Sequence, residues 1–251
     1  MQDGESRSLA VGYAFDRELQ KAANAAGRNY WYAYIEEILS RLGVDARSMP
    51  LAACADTEAL SQTGVLFLGD FSESDLPPAA PSALTCWVAS GGILIGFATQ
   101  ALDDLFGVYA GGTIPQEPDP FSISGYFELL PSPVTQDCRA PVDPWQRLII
   151  AAPVRQLGCT TSQPLARLFR CHPEHPGDGT RAVATGHPAI VHRPLGAGHA
   201  FYFAFDLAQT IWVVQQGRPV DQDYDGDGYL RRTDASVVGD NSRAVPYTDA
   251  L

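Results

Sequence analysis

Residues 87–100, WVASGGILIGFATQ, decide the fold of this chain. The apolar pattern of residues 83–89 predicts a helix that a pair of glycines ends, and residues 93–97 predict the strand that follows. Residues 8–15 and 64–69 form two more apolar runs of strand length without polar alternation. Apolar strands separated by helices are typical of a parallel sheet that is covered on both faces.

A further helix is predicted between the first two strands. There Tyr30, Tyr34, Ile38 and Leu42 recur at every fourth position, and Gly43 marks the helix end. The second half predicts shorter antiparallel strands at residues 126–130, 148–152 and 165–171, and a hairpin of residues 189–193 and 200–205. We therefore expect an α/β fold, a flavodoxin-like three-layer sandwich with a mostly parallel central sheet and additional antiparallel strands in the second half.

The composition narrows the classes of partner. The 251 residues carry 17 Lys and Arg against 29 Asp and Glu, a formal net charge of −12, which would repel nucleic acid. No apolar stretch approaches the roughly 20 residues of a membrane helix. Five cysteines without a CxxC pair predict neither a disulfide framework nor a structural zinc site. The amino terminus has no secretory pattern, so we expect a cytoplasmic protein.

The predicted domain organisation is one α/β domain over residues 1–210, with residues 211–251 as a C-terminal extension of the same domain. The chain ends as an apolar run begins, AVPYTDAL, which suggests that it is part of a longer protein. We expect either further domains of that protein or a homo-oligomer as its macromolecular partner.

Over residues 8–210 the chain resembles the class I glutamine-amidotransferase-like superfamily, in particular its non-catalytic branch of ThuA-like proteins and β-galactosidase trimerisation domains. The resemblance is carried by the first strand and by the segments GRNYWY at residues 27–32, WVASGGILIG at 87–96, GHPAI at 186–190 and LGAGHAFYF at 195–203. These patterns are typical of a fold more than of a function.

The resemblance implies where a catalytic residue would stand. Active members carry a cysteine nucleophile on the sharp turn after the third strand, assisted by a histidine and a glutamate. Here Ala98 holds the nucleophile position. The triplet His172-Pro173-Glu174 precedes the last strand instead of following it, where Phe205-Asp206-Leu207 stands. We therefore expect no amidotransferase activity.

Residues 223–234, DYDGDGYLRRTD, match the calcium-loop template D-x-D-x-D-G-x5-E with Asp in place of the final Glu, as in dockerin-like loops. Carboxylates at loop positions 1, 3, 5 and 12 and a carbonyl at position 7 would surround Ca²⁺, and Gly228 permits the turn. The predicted ligands are Asp223, Asp225, Asp227, the carbonyl of Tyr229, and Asp234. A solvated acidic loop is the alternative interpretation.

Weaker patterns point to other ligands. Residues 171–175, CHPEH, contain potential zinc ligands in Cys171, His172 and His175, although the prolines around them are equally typical of a turn. Trp31 or Tyr32 could stack on a sugar ring if exposed. Ligands of open α/β sheets bind beyond the carboxyl ends of the strands, so the candidates for a small-molecule pocket are Arg28, Asp70, Thr99, Gln100 and Asp206.

The preferred hypothesis is a non-catalytic amidotransferase-like binding or assembly module of a carbohydrate-related bacterial protein, with a structural calcium site and a possible carbohydrate or other small-molecule ligand. One alternative is a sugar hydrolase that uses Asp70, Asp206, His172 or Glu174 in a non-standard site. The other is an oligomerisation domain, which a large exposed apolar patch would favour.

Overall fold

The computed structural model describes residues 10–117, 122–136, 147–174 and 179–216. The α-helices of these residues are α1 (Arg17–Ala25), α2 (Ile35–Arg41), α3 (Thr57–Ser61), α4 (Ala80–Ala89), α5 (Asp103–Phe106) and α6 (Leu207–Gln216). Short 3-10 helices span Trp31–Tyr34, Leu51–Ala55 and Gly179–Arg181. Among the described helices, none combines the length and the apolar character that crossing a bilayer requires.

The strands are β1 (Val11–Ala14), β2 (Ala46–Met49), β3 (Val65–Leu68), β4 (Ile93–Phe97), β5 (Val108–Ile114), β6 (Gly125–Leu129), β7 (Leu148–Ile150), β8 (Val154–Cys159), β9 (Gln163–Arg170), β10 (Val183–Leu195) and β11 (Gly198–Phe203). One sheet has the order β2-β1-β3-β4-β11-β10-β9-β6-β7, and β5 and β8 form a second sheet. Strands β1 to β4 pair in parallel, and β6 is antiparallel to β7 and β9. The predicted flavodoxin-like α/β fold is confirmed.

The described residues divide into two compact units. Residues 10–108, 160–162 and 192–202 form the first unit, and the remaining described residues form the second. The predicted boundary between residues 210 and 211 falls inside α6, and residues 217–251 lie outside the described part of the chain. The domain division at that position therefore stays a prediction.

The first unit is built on apolar strands, as the sequence predicts. Leu66 and Leu94 lie opposite each other in the parallel pair β3–β4, and both are fully buried. Trp87 of α4 donates from its indole N–H to the carbonyl of Thr63 at 3.1 Å and packs its ring against Gly92. A large side chain can lie there because Gly92 has no Cβ.

The predicted register of the helix before β2 is wrong. Instead of one helix over residues 29–42, the chain forms the 3-10 helix Trp31–Tyr34 and then α2. The buried positions are Tyr32, Ile35 and Leu39, whereas Leu42 is 69% exposed. A 3-10 turn has three residues per turn instead of 3.6, so it rotates the following helix away from the predicted apolar face.

The second unit has its own apolar core. The rings of Phe127 in β6 and Phe205 lie 5.5 Å apart, and Ala151 donates its amide to the hydroxyl of Thr210 in α6 at 3.3 Å. The guanidinium of Arg147 lies 3.8 Å from the ring centroid of Phe169 and donates to the carbonyl of Gly179 at 2.7 Å. These contacts secure the strands β6 and β9 and helix α6.

The hairpin of β10 and β11 is tied to the end of α4. Gly196 has the positive φ of 61° that its tight turn requires. Ala197 donates its amide to the carbonyl of Ala89 at 2.9 Å, and His199 donates to the carbonyl of Gly92 at 3.1 Å. At Gly198 a Cβ would collide with the backbone carbonyls of Val88 and Gly92.

Gly198→Ala is therefore expected to lower the free energy of unfolding by about 3 kcal/mol, because the colliding atoms are backbone and cannot rotate away. Urea denaturation measures this loss. The matched control is Gly111→Ala, where the added Cβ meets only an ordinary contact at 3.8 Å from the carbonyl of Gln156. The control should change stability by less than about 1 kcal/mol; equal losses in both variants would contradict the proposed collision.

Candidate functional site

The candidate site lies at the carboxyl end of β4, where the backbone turns sharply. Ala98, directly after β4, has φ of 54° and is the one non-glycine residue with positive φ in the described part of the chain. A left-handed conformation costs an L-residue roughly 1–2 kcal/mol. Ala98 is 7% exposed, so the surrounding structure holds it in this conformation. Sharp, strained strand-to-helix turns of this type hold the nucleophile in several hydrolase classes.

Hydrogen bonds from the next two residues hold this turn. The hydroxyl of Thr99 donates to the carbonyl of Gly69 at 2.7 Å, and the phenol of Tyr202 donates to the carbonyl of Thr99 at 2.9 Å. The amide of Gln100 donates to the carbonyl of Phe71 at 2.9 Å. That amide is thus engaged within the fold.

Tyr32 fills the space beside the end of β3. Its hydroxyl donates to the carbonyl of Phe67 at 2.9 Å, and its ring meets the ring of Phe71 edge to face at 5.7 Å. A Cβ on Gly69 would lie 2.6 Å from the Tyr32 ring. Tyr32 is 2% exposed, so the prediction of Tyr32 as an exposed sugar-stacking residue is wrong. Trp31 is half-buried, with its ring centroid 6.4 Å from that of Tyr34.

The structure brings three of the five predicted pocket residues together. Thr99 is fully buried beside the end of β3, and the amide nitrogen of the Gln100 side chain lies 3.4 Å from the carboxylate of Asp70. Asp70 and Gln100 are exposed, so their polar groups face solvent at the edge where ligands of open α/β sheets bind. Arg28 is exposed on the loop after α1, where its amide donates to the carbonyl of Ala23 at 2.9 Å.

Asp206, the fifth predicted residue, belongs to the second unit. It is 8% exposed, and its carboxylate accepts from the amide of Gln209 at 3.1 Å, so it caps the start of α6. His172 accepts through its Nδ1 from the amide of Glu174 at 3.2 Å. In these contacts, Asp206 and His172 serve local backbone groups.

Only some of the predicted metal ligands lie within the described residues. Residues 223–234, with all the predicted calcium ligands, and His175 lie outside the described residues. Cys171 donates to the carbonyl of Ile123 at 3.3 Å, and burial raises the pKa of its thiol, which disfavours the thiolate that zinc requires. Within the described ranges, no group of three or more His, Cys, Asp or Glu side chains could hold a metal ion.

Four side chains make contacts that the sequence did not predict. The hydroxyls of Tyr202 and Tyr32 donate to the carbonyls of Thr99 and Phe67. The other two side chains form a histidine pair, in which Nε2 of His192 lies 3.0 Å from Nδ1 of His199. Its signal is the position of both histidines within four residues of Gly196, on the two arms of a predicted hairpin.

Comparison with known proteins defines the fold. No protein-family model and no curated protein sequence matches the chain. Solved structures resemble it, including the β-galactosidases of Bacillus circulans sp. alkalophilus and Rahnella sp. R3, each with TM-score 0.56, 14% identity and coverage of 80% of this chain and 29% of the other. The α-L-fucosidase isoenzyme 2 of Paenibacillus thiaminolyticus has TM-score 0.56 and 15% identity, covering 83% of this chain and 31% of the other.

At these identities the similarity establishes an α/β fold and nothing about activity. The chain spans less than a third of the length of each of these glycosidases. The protein therefore has the fold of one part of much larger chains.

Proposed function

We propose that this chain is a non-catalytic amidotransferase-like module that contributes binding or assembly to a carbohydrate-related protein. The observation that carries the proposal is Ala98, which occupies a left-handed turn after β4. In the superfamily that the sequence resembles, this turn presents the catalytic cysteine. A methyl group can neither attack a carbonyl nor be activated by a base, so the position has lost its chemistry while its backbone conformation remains.

The neighbouring groups support a structural use of this turn. Thr99 and Gln100 direct a hydroxyl and an amide to the carbonyls of Gly69 and Phe71, and the ring of Tyr32 covers Gly69. The side chains of Asp70 and Gln100 are exposed at this edge, and the pair is our candidate contact for a hydroxyl-rich ligand such as a sugar.

The relation to carbohydrate metabolism rests on the fold. Two β-galactosidases and an α-L-fucosidase contain a part that resembles this chain, at 14% to 15% identity. We infer that this chain has the role of such an accessory part. The alternative, a sugar hydrolase with a non-standard site, would draw on Asp70, Asp206, His172 or Glu174. The capping role of Asp206 and the contact between His172 and Glu174 favour the accessory role.

Activity assays test the absence of catalysis. Wild type and Ala98→Cys are each incubated with four substrates. These are glutamine, an activated ester that can acylate a cysteine, nitrophenyl β-galactoside and nitrophenyl α-fucoside. We expect no turnover above buffer in wild type, and no glutamine hydrolysis in Ala98→Cys, because a nucleophile without its acid and base partners recovers little activity. Turnover by wild type that Asp70→Asn or Asp206→Asn removes would establish the hydrolase alternative instead.

A specific feature of the second unit favours a role in assembly. Strand β5 pairs with β8 in a two-stranded ribbon, and residues 109–113 of β5 are all exposed. If one face of β5 were covered, buried and exposed residues would alternate along the strand. Residues 109–113 show no such alternation, so the described residues cover neither face of this stretch. A two-stranded ribbon is marginally stable alone, and an open strand edge is a template for pairing with another strand.

We propose a second copy of the same chain as the occupant of the β5 edge. Residues 109–116, YAGGTIPQ, carry no charge, although the whole chain has a net charge of −12. Because both copies are acidic, they would repel each other across most of their surfaces. They can approach each other at an edge that carries no charge. Antiparallel pairing of β5 with its symmetry mate would be isologous and would also cover Tyr109, which is 59% exposed.

Light scattering coupled to size exclusion tests this interface. Wild type is expected to change from monomer to dimer with concentration, and Ala110→Lys should shift the midpoint by more than about tenfold, because two like charges would meet at the shared edge. Ala52→Lys, also an exposed alanine but in the first unit, should behave as wild type. A wild type that stays monomeric, or a dimer that Ala110→Lys leaves intact, would overturn the assembly proposal.

The calcium loop at residues 223–234 is proposed from its sequence. Four carboxylates in register with Gly228 supply the oxygen ligands that Ca²⁺ prefers. Without an ion, these charges would repel one another. We therefore propose that Ca²⁺ stabilises the C-terminal part of the chain and takes no part in a reaction.

Thermal unfolding of chelator-treated protein measures this effect. Added Ca²⁺ should raise the Tm of wild type and of Asp221→Ala, which lies outside the ligand register. The same addition should leave Asp225→Ala and Asp227→Ala unchanged, because ligand binding stabilises only a protein that binds it. An equal response of all four proteins would show that calcium acts elsewhere or not at all.

A further inference from the structure

The hairpin of β10 and β11 carries two histidines whose ring nitrogens face each other. Nε2 of His192 in β10 lies 3.0 Å from Nδ1 of His199 in β11. His192 is 7% exposed, whereas His199 is exposed. A hydrogen bond in which one ring donates its N–H to the other accounts for the contact, and the tautomer decides which ring is the donor.

The two rings are held in place before any ligand arrives. The ring of Phe201 stacks on His192 with centroids 4.6 Å apart and an interplanar angle of 14°. The amide of His199 is bonded to Gly92, which fixes the strand that carries the second ring. The guanidinium of Arg193 is directed to the carbonyls of Asp104 and Leu105, so its charge is engaged there.

Burial and the neighbouring His199 lower the pKa of His192. Neutral imidazole is the form that binds metals. The two facing ring nitrogens lie 3.0 Å apart, which is the spacing of a chelating pair.

We propose that His192 Nε2 and His199 Nδ1 form a two-histidine site for a divalent transition metal that favours right-angled coordination, Cu²⁺ or Ni²⁺. With metal–nitrogen bonds of about 2.0–2.1 Å, nitrogens 3.0 Å apart subtend an angle of about 95° at the ion. This angle suits the cis positions of a square or octahedral ion better than the tetrahedral geometry of zinc.

On binding, the proton in the gap would move to the other nitrogen of its own ring, so both facing nitrogens would direct a lone pair at the ion and no oxidation state would change. Within the described residues no third side chain completes the set, and water would fill the remaining positions on the exposed side of His199. Such positions can exchange for a carboxylate or hydroxyl of a ligand. The site lies within the first unit.

Calorimetric titration with Cu²⁺ and Ni²⁺ in the presence of excess Ca²⁺ tests the site, with the nitrogen splitting of the Cu²⁺ electron paramagnetic resonance spectrum as a second readout. Wild type should bind one ion with two nitrogen ligands, and zinc should bind more weakly than copper. His199→Gln should weaken Cu²⁺ binding by more than about tenfold and remove one nitrogen from the spectrum. Because His199 is exposed, this variant is expected to keep its fold, which circular dichroism verifies.

His172→Gln is the matched control, since it removes a histidine from the other predicted metal-ligand cluster. It should bind Cu²⁺ as wild type does. Unchanged Cu²⁺ binding in His199→Gln, or a loss confined to His172→Gln, would overturn the assignment and place the copper elsewhere.

Discussion

The left-handed turn at Ala98 is the constraint on which the organisation of the first unit depends. After strand β4 the chain turns at a φ of 54°, a conformation that costs Ala98 free energy because it has a Cβ. The cost is offset by three hydrogen bonds, from Thr99, Gln100 and Tyr202, that engage the residues directly after the turn. These bonds connect the end of β3, the end of β4 and strand β11, so the turn joins three strands of the sheet.

The fold could be predicted where burial is complete. Residues 64–69 and 93–97 are apolar because both faces of a central parallel strand are covered. An apolar run of this kind can be recognised from the sequence alone. Strand β2 was not predicted, because of its four residues only Met49 is buried. The register of α2 was also missed. The rotation that the preceding 3-10 turn introduces depends on how Tyr32 packs on Gly69, and side-chain periodicity does not report a tertiary contact of this kind.

The site was predictable to the same extent. The resemblance to the amidotransferase-like superfamily predicted a sharp turn at Ala98 after the third apolar strand, and the structure has a left-handed turn there. The contacts of Tyr32, Tyr202 and the pair of His192 with His199 join residues far apart in sequence or across a hairpin. Their hydroxyls and nitrogens find partners only in the folded chain, so local patterns cannot identify them.

A double-mutant cycle on Thr99→Val and Tyr202→Phe tests most directly whether the turn is held as one structure. Each single variant should lose about 1 kcal/mol of unfolding free energy, because each removes one buried hydrogen bond from the turn. The double variant should lose less than the sum by more than about 0.5 kcal/mol, since the first loss already loosens the turn that the second bond holds. Losses that add within about 0.3 kcal/mol would contradict the account, because the two bonds would then act independently of the turn at Ala98.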